Sequence, residues 1–167
     1  AKGGLRDLSG IIPDLAGKAL TSASLAKIKA VAPESLPLVS GSPRIGACVG
    51  DVRNFIAVGL NFADHAAETG AAIPAEPILF NKAPNCIVGP NDDVIIPKGS
   101  QKTDWEVELA IVIGDGGSYI EEKDAMAAIA GFCVCNDVSE RAFQQERGGQ
   151  WAKGKGCPTF GPLGPWL

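Results

Sequence analysis

Residues 104–114 read DWEVELAIVIG, and the fold turns on how this stretch is read. Trp105, Val107, Leu109, Ile111 and Ile113 alternate with Glu106, Glu108, Ala110 and Val112. A period of two belongs to a β-strand, so one face is wholly apolar and the other carries two adjacent carboxylates. Like charges on one face repel, and burial raises the cost. Either that face is solvated, as in a half-exposed antiparallel sheet, or a cation compensates it. Oxygen donors of this kind suit Mg²⁺, Mn²⁺ or Ca²⁺.

Downstream, Gly114–Gly117 predicts a turn, Lys123–Ala130 a short alanine-rich helix, and Phe132–Asp137 a second apolar strand ending in polar residues. Asp137 there supplies a third carboxylate that can complete a hard-metal set with Glu106 and Glu108. Cys133 and Cys135 share one face of the same strand. With Cys48, Cys86 and Cys157 they make an odd count of five whose spacings fit no zinc or redox motif. Free cysteines of this kind read as small buried hydrophobes and point to a reducing, cytoplasmic setting.

Upstream, Asn54–Leu60 predicts a short buried strand, with Asn61 as the N-cap of a helix over Phe62–Thr69 and Gly70 as its stop. His65 is the single histidine, and Glu68 follows three residues later on the same helical face. A carboxylate beside an imidazole orients the ring and raises its basicity, which is how a general base is built; an ordinary surface pair has the same spacing. Pro74, Pro77, Pro84 and Pro90 exclude long helices beyond it, and Val94–Pro97 reads as a short strand. From Arg147 the chain is rich in Gly and Lys. Lys155 stands between Gly154 and Gly156, either in a flexible solvated loop or where a lysine meets a substrate carboxylate or enolate; the full phosphate-cradling pattern is absent. Lys82, Arg141 and Gln144 are further candidate substrate contacts.

The 167 residues suit one domain, preceded by a small N-terminal region over residues 1–50 that holds a weak helical stripe, Ser24–Val31, and no obvious chemistry. Net charge is −4 and no basic run occurs, which argues against a dedicated nucleic-acid binder. No apolar stretch approaches the roughly 18 residues that span a bilayer, and Ala1–Arg6 lacks the apolar core of a secretion signal.

Five segments taken in order resemble the fumarylacetoacetate hydrolase superfamily: GLNFADHAAE (Gly59–Glu68), PILFNKAPNCIVGPND (Pro77–Asp92), DWEVELAIVIG, NDVSERAFQ (Asn136–Gln144) and KGKGCPTFGPLGPW (Lys153–Trp166). The resemblance is nearest to bacterial members acting on 2,4-diketo-3-deoxy-sugar acids such as the L-fuconate derivative, a group often labelled ureidoglycolate lyase. It implies an α+β fold, a mixed β-roll with a lid helix, of which residues 51–167 are the N-terminal part. It implies that Glu106, Glu108 and Asp137 bind Mg²⁺ or Mn²⁺, that His65, Glu68 and Lys155 are catalytic, and that Gln144 and Thr159 contact substrate.

The activity so implied is hydrolysis of a carbon–carbon bond in a 2,4-diketo acid to pyruvate and a second carboxylic acid, by a homodimer with no nucleic-acid or membrane partner. Decarboxylase, isomerase, hydratase and lyase chemistry on the same scaffold remain alternatives, as does a non-catalytic metal-binding module. Phe62 stands where the motif commonly has Tyr, and Pro158 where it has Asp. The chain lacks an initiator Met and stops at Trp166-Leu167 as a strand would begin, so the family domain is expected to continue beyond Leu167, and this stretch alone to have little activity.

Overall fold

The computed structural model describes residues 4–167. Four helices and eight strands follow in chain order: α1 (Ser22–Lys29), β1 (Phe55–Gly59), α2 (Ala63–Thr69), β2 (Ile78–Lys82), β3 (Ile87–Val88), β4 (Thr103–Asp104), β5 (Val107–Ile113), β6 (Ile129–Asn136), β7 (Ser139–Glu140), α3 (Arg141–Gln145), α4 (Ala152–Lys155) and β8 (Gly161–Pro162). The strands pair as β1–β2, β4–β7 and β5–β6, all antiparallel, and β3–β8, parallel. This is the mixed α+β architecture that the sequence implied.

The β5–β6 ribbon is the backbone of the molecule. Its register sets Val107 against Asn136 and Glu108 against Cys135, and it slips between Val112 and Ile113. Alternation holds along both strands, but the all-apolar face of β5 points outward: Trp105 is 71% exposed and Val107, Leu109, Ile111 and Ile113 are exposed with it. The carboxylate face points inward. On β6 the same alternation buries Cys133 and Cys135, which pack with Leu20, Val49 and Leu163. A second cluster joins Cys86, Val138 and Phe160. Phe160 is fully buried, a contribution of about 1.5–3 kcal/mol for a side chain of that class.

Several local expectations need correction. Helix α1 forms, capped by the Thr21 hydroxyl, which accepts from the Ser24 amide, but none of its residues is buried. Strand β1 alternates instead of being buried, with Ile56 and Val58 exposed. Asn61 is not the cap of α2; Phe62 holds that place, with no side-chain bond to the helix. Gly70 does end the helix, in the left-handed region at φ 65°. Residues 94–97 form no strand, because the Ile95 amide donates to the Thr159 hydroxyl instead of a neighbouring ladder. The alanine-rich segment winds as a 3-10 helix over Glu122–Ala128. All five cysteines are free. Among the described residues no helix is long and apolar enough to cross a membrane.

Candidate active site

The inward face of β5 brings its carboxylates to the end of β6. The Asp137 amide donates to Glu106 O at 2.8 Å, and the Glu106 amide donates to Asn136 Oδ1 at 3.1 Å. Backbone pairing thus fixes Glu106 beside Asp137, with Glu108 two residues on along the same face. Above them opens a cleft of about 890 Å³. His65, Glu68, Glu106, Glu108, Asp137, Arg141, Gln144 and Lys155 all line it. A smaller hollow of about 270 Å³ beside Arg53 and Asn81 gathers no acid–base cluster.

Lys155 is the centre of the cluster. Its Nζ donates to Glu106 Oε2 at 2.6 Å and to Asp137 Oδ2 at 2.8 Å. It also stands 5.0 Å from the centroid of the Phe80 ring, whose edge meets Trp151. The flexible-loop reading of this segment is overturned: Lys155 is 2% exposed and ends the short helix α4. The adjacent glycine serves the protein and not a ligand. A Cβ on Gly154 would sit 2.3 Å from Glu140 O and 2.7 Å from Gln144 N, so only glycine lets α4 lie this close to α3.

Arg141 opens α3 and is spent on acids: Nη2 donates to Asp104 Oδ2 at 2.9 Å and to Glu106 Oε1 at 2.5 Å, and Nη1 to Gln144 Oε1 at 3.3 Å. Both oxygens of Glu106 therefore face cations. Lys82, expected at the substrate, lies instead beneath the site and does not line the cleft. It is 1% exposed, pairs with Asp137 Oδ1 at 2.6 Å, and donates to Val138 O at 3.2 Å and Lys155 O at 2.5 Å. One buried ammonium thus ties Asp137 to the backbone that carries Lys155. Thr159 is likewise not brought to the cleft; its hydroxyl accepts from the Ile95 amide at 2.7 Å and donates to Pro158 O at 2.6 Å.

Burial pushes the Asp137 carboxyl up, but Lys82 and Lys155 outweigh it and hold the group below its ordinary range. Glu108 is different. Burial raises it, and Glu106 and Asp137 raise it further. Among the described residues no cation bonds to Glu108. Nor do three acidic, histidine or cysteine groups there close on one point as an ion cage, since the Lys155 ammonium stands between Glu106 and Asp137. The donor set nevertheless fits a hard divalent cation: three carboxylates at the adjoining ends of β5 and β6, one of them short of positive charge.

His65 and Glu68 sit on the exposed helix α2 at the rim of the cleft, with no hydrogen bond joining their side chains among the described residues. Sequence reasoning passed over Glu140, which is fully buried. It caps α3 through the Ala142 amide and accepts from the Thr103 hydroxyl, the Ser100 hydroxyl and the amides of Gln101 and Lys102. It clamps the loop before β4 to the helix bearing Arg141 and Gln144. Apart from the Ala142 amide, nothing in the local pattern marks it, because its remaining donors lie about forty positions away.

Known proteins share this arrangement of chain. The family model described as fumarylacetoacetate (FAA) hydrolase C-terminal matches residues 54–167. A curated Burkholderia cenocepacia protein, provisionally named a hydrolase, is 60% identical over 167 residues; the chain is covered completely and spans 59% of that relative's length. The fumarylacetoacetate hydrolase of psychrophilic Exiguobacterium antarcticum superposes with a TM-score of 0.75 at 31% identity, over 96% of this chain and 57% of that one. The 5-carboxymethyl-2-hydroxymuconate delta-isomerase of Mycobacterium smegmatis gives a TM-score of 0.60 at 43% identity, over 68% and 43%.

Proposed function

The chain belongs to the fumarylacetoacetate hydrolase family, and from that premise we propose that it is part of an enzyme hydrolysing a carbon–carbon bond in a 2,4-diketo acid. One observation carries this reading: a single cleft gathers three carboxylates, a buried lysine among them and a histidine–glutamate pair at its rim. Glu106, Glu108 and Asp137 would hold Mg²⁺ or Mn²⁺, which when bound supplies Lewis-acid polarisation of substrate oxygens. His65, steered by Glu68 once the helix closes, takes a proton from water, whose oxygen adds to the 4-keto carbon. The bond between carbons 3 and 4 breaks and its electron pair leaves as a pyruvate enolate. The Lys155 ammonium stabilises that enolate's charge, and the proton that His65 took from water passes to carbon 3 to give pyruvate. Gln144 and Arg141 orient the substrate. The products are pyruvate and a second carboxylic acid, lactate for a sugar-acid substrate.

The enzyme works as a homodimer in the cytoplasm; the five free thiols support the second of these readings. Its partner is a small acid, with neither nucleic acid nor membrane. An isomerase is the second reading, favoured by the Mycobacterium smegmatis isomerase at 43% identity. Both are tested by incubating the full-length protein and Mg²⁺ or Mn²⁺ with acylpyruvates and with unsaturated 2-hydroxy diacids. Stoichiometric pyruvate supports the hydrolase. A change in substrate absorbance without pyruvate supports the isomerase, and neither response removes both.

A further inference from the structure

Glu140 is fully buried, and among the described residues its carboxylate meets hydroxyls and amides and no cation. Its Oε2 accepts from the Ser100 and Thr103 hydroxyls and from the Gln101 amide at 3.2 Å; its Oε1 accepts from the Lys102 amide at 3.1 Å and the Ala142 amide at 3.0 Å. In return the Arg141 amide donates to Lys102 O at 2.9 Å. The loop 100–103 is thus wrapped round a side chain from the start of α3. Its own ladder is short: β4 pairs with β7 through Thr103–Glu140 and Asp104–Ser139 alone. So short a ribbon is marginal by itself, and the carboxylate bonds decide where Asp104 stands. That placement matters for Arg141. Asp104 Oδ2 accepts from Arg141 Nε at 3.2 Å and from Nη2 at 2.9 Å, but the two side chains are 49% and 24% exposed, and a partly exposed pair fixes little on its own. A guanidinium carries five N–H donors. Asp104 takes two of them, Glu106 one and Gln144 one. One N–H on Nη1 is left uncommitted among the described residues, on a side chain that lines the cleft. The aim of that donor follows from where Asp104 holds the guanidinium plane.

We infer that Glu140 is a positioning residue for substrate binding: its carboxylate fixes the loop that carries Asp104, and Asp104 turns the Arg141 guanidinium so that one N–H meets an anionic oxygen of the substrate. The inference rests on the reading of Arg141 as a substrate contact in the proposed hydrolase. Glu140 itself does not line the cleft. Its effect falls on binding, because the groups that move protons and stabilise charge are held by other means. His65 rides on α2, and Lys155 is held by Glu106 and Asp137. Backbone bonds between the start of β5 and the end of β6 set those two carboxylates side by side.

The test is steady-state kinetics of the full-length protein with Mg²⁺ and an acylpyruvate. Glu140→Ala should raise KM by about tenfold or more, as expected for one lost hydrogen bond to a charged group, with kcat near the wild-type value. Glu140→Gln should recover most of the KM, because its carbonyl oxygen still accepts from the Lys102 and Ala142 amides while its NH₂ faces the Ser100 and Thr103 hydroxyls. Thr103→Val cuts the clamp more gently from its other end and should shift KM the same way, so an unfolded Glu140→Ala does not blunt the test. In an Arg141→Met background, adding Glu140→Ala should raise KM no further. Titration calorimetry with Mg²⁺ and oxalate, a small dianion shaped like a pyruvate enolate, reads binding without turnover, and Glu140→Ala should bind oxalate about tenfold more weakly. Weaker oxalate binding in a protein whose wild type releases no pyruvate would end the hydrolase reading and leave the role of Glu140 standing. A fall in kcat at unchanged KM, multiplied effects in the double variant, no recovery in Glu140→Gln, or equal oxalate affinity would overturn the inference.

Discussion

Replacing Lys82 with methionine should destabilise the protein sharply although Lys82 does not line the cleft. The substitution keeps an unbranched stem of similar length and removes the ammonium. Lost with it are the ion pair to Asp137 Oδ1 at 2.6 Å and the hydrogen bonds to Val138 O at 3.2 Å and Lys155 O at 2.5 Å. Removing one partner of a buried ion pair costs about 3–5 kcal/mol, chiefly because the other charge stays behind. Asp137 keeps Lys155 at 2.8 Å, which places the cost at the low end, about 3 kcal/mol. At about 2–4 °C per kcal/mol for a chain of this size, the melting temperature should fall by about 6–12 °C.

The assay is thermal denaturation followed by circular dichroism with a chelator present. Its pH dependence carries a second check. The folded-state pKa of Asp137 is depressed, so its contribution to stability is present above the unfolded value of about 3.9 and is lost as pH falls through the folded value. The gap between Lys82→Met and wild type should therefore be widest near neutral pH and narrow in acid. Equal melting temperatures, or a gap that stays constant into acid, would refute the assignment of Lys82 as the buried counter-charge.

Glu108 should behave in the opposite sense. Its folded pKa is raised by burial and by Glu106 and Asp137, so it destabilises the fold once pH exceeds the unfolded value of about 4.3. In chelator Glu108→Gln should raise the melting temperature at neutral pH and not in acid; with Mg²⁺ or Mn²⁺ added, wild type should gain stability and the variant should not. His65→Ala should retain that ion-dependent shift and lose about 10²–10⁴-fold in turnover, since a hard cation has no need of the imidazole. Loss of the shift would make His65 a ligand instead. Light scattering of the full-length protein should return the mass of two chains, and a one-chain mass across micromolar concentrations would end the homodimer reading.

What was legible in the sequence was what depends on near neighbours. The period of two in residues 104–113 specified strand β5 and put Glu106 and Glu108 on one face. The same period in residues 132–137 paired Cys133 with Cys135, and Gly70 stopped α2 because glycine tolerates the left-handed backbone. Local reasoning failed where a distant partner decided the outcome. The Ile95 amide found the Thr159 hydroxyl 64 positions away, and no strand formed.

Pattern and turn chemistry by themselves therefore determined the main ribbon, the helix at the cleft rim and the acidic character of the site. Only the tertiary structure decided what each charge and thiol faces. Lys82 and Lys155 look alike in the sequence, each a lysine near small residues, yet pairing of β1 with β2 and packing of α4 on α3 bury both against Asp137. The buried clamp made by Glu140 was equally invisible. The reason is physical: a strand's period is fixed within a few residues. The protonation and role of a carboxylate, ammonium or thiol are instead set by desolvation and by charges a few ångströms away, contributed by chain many positions distant.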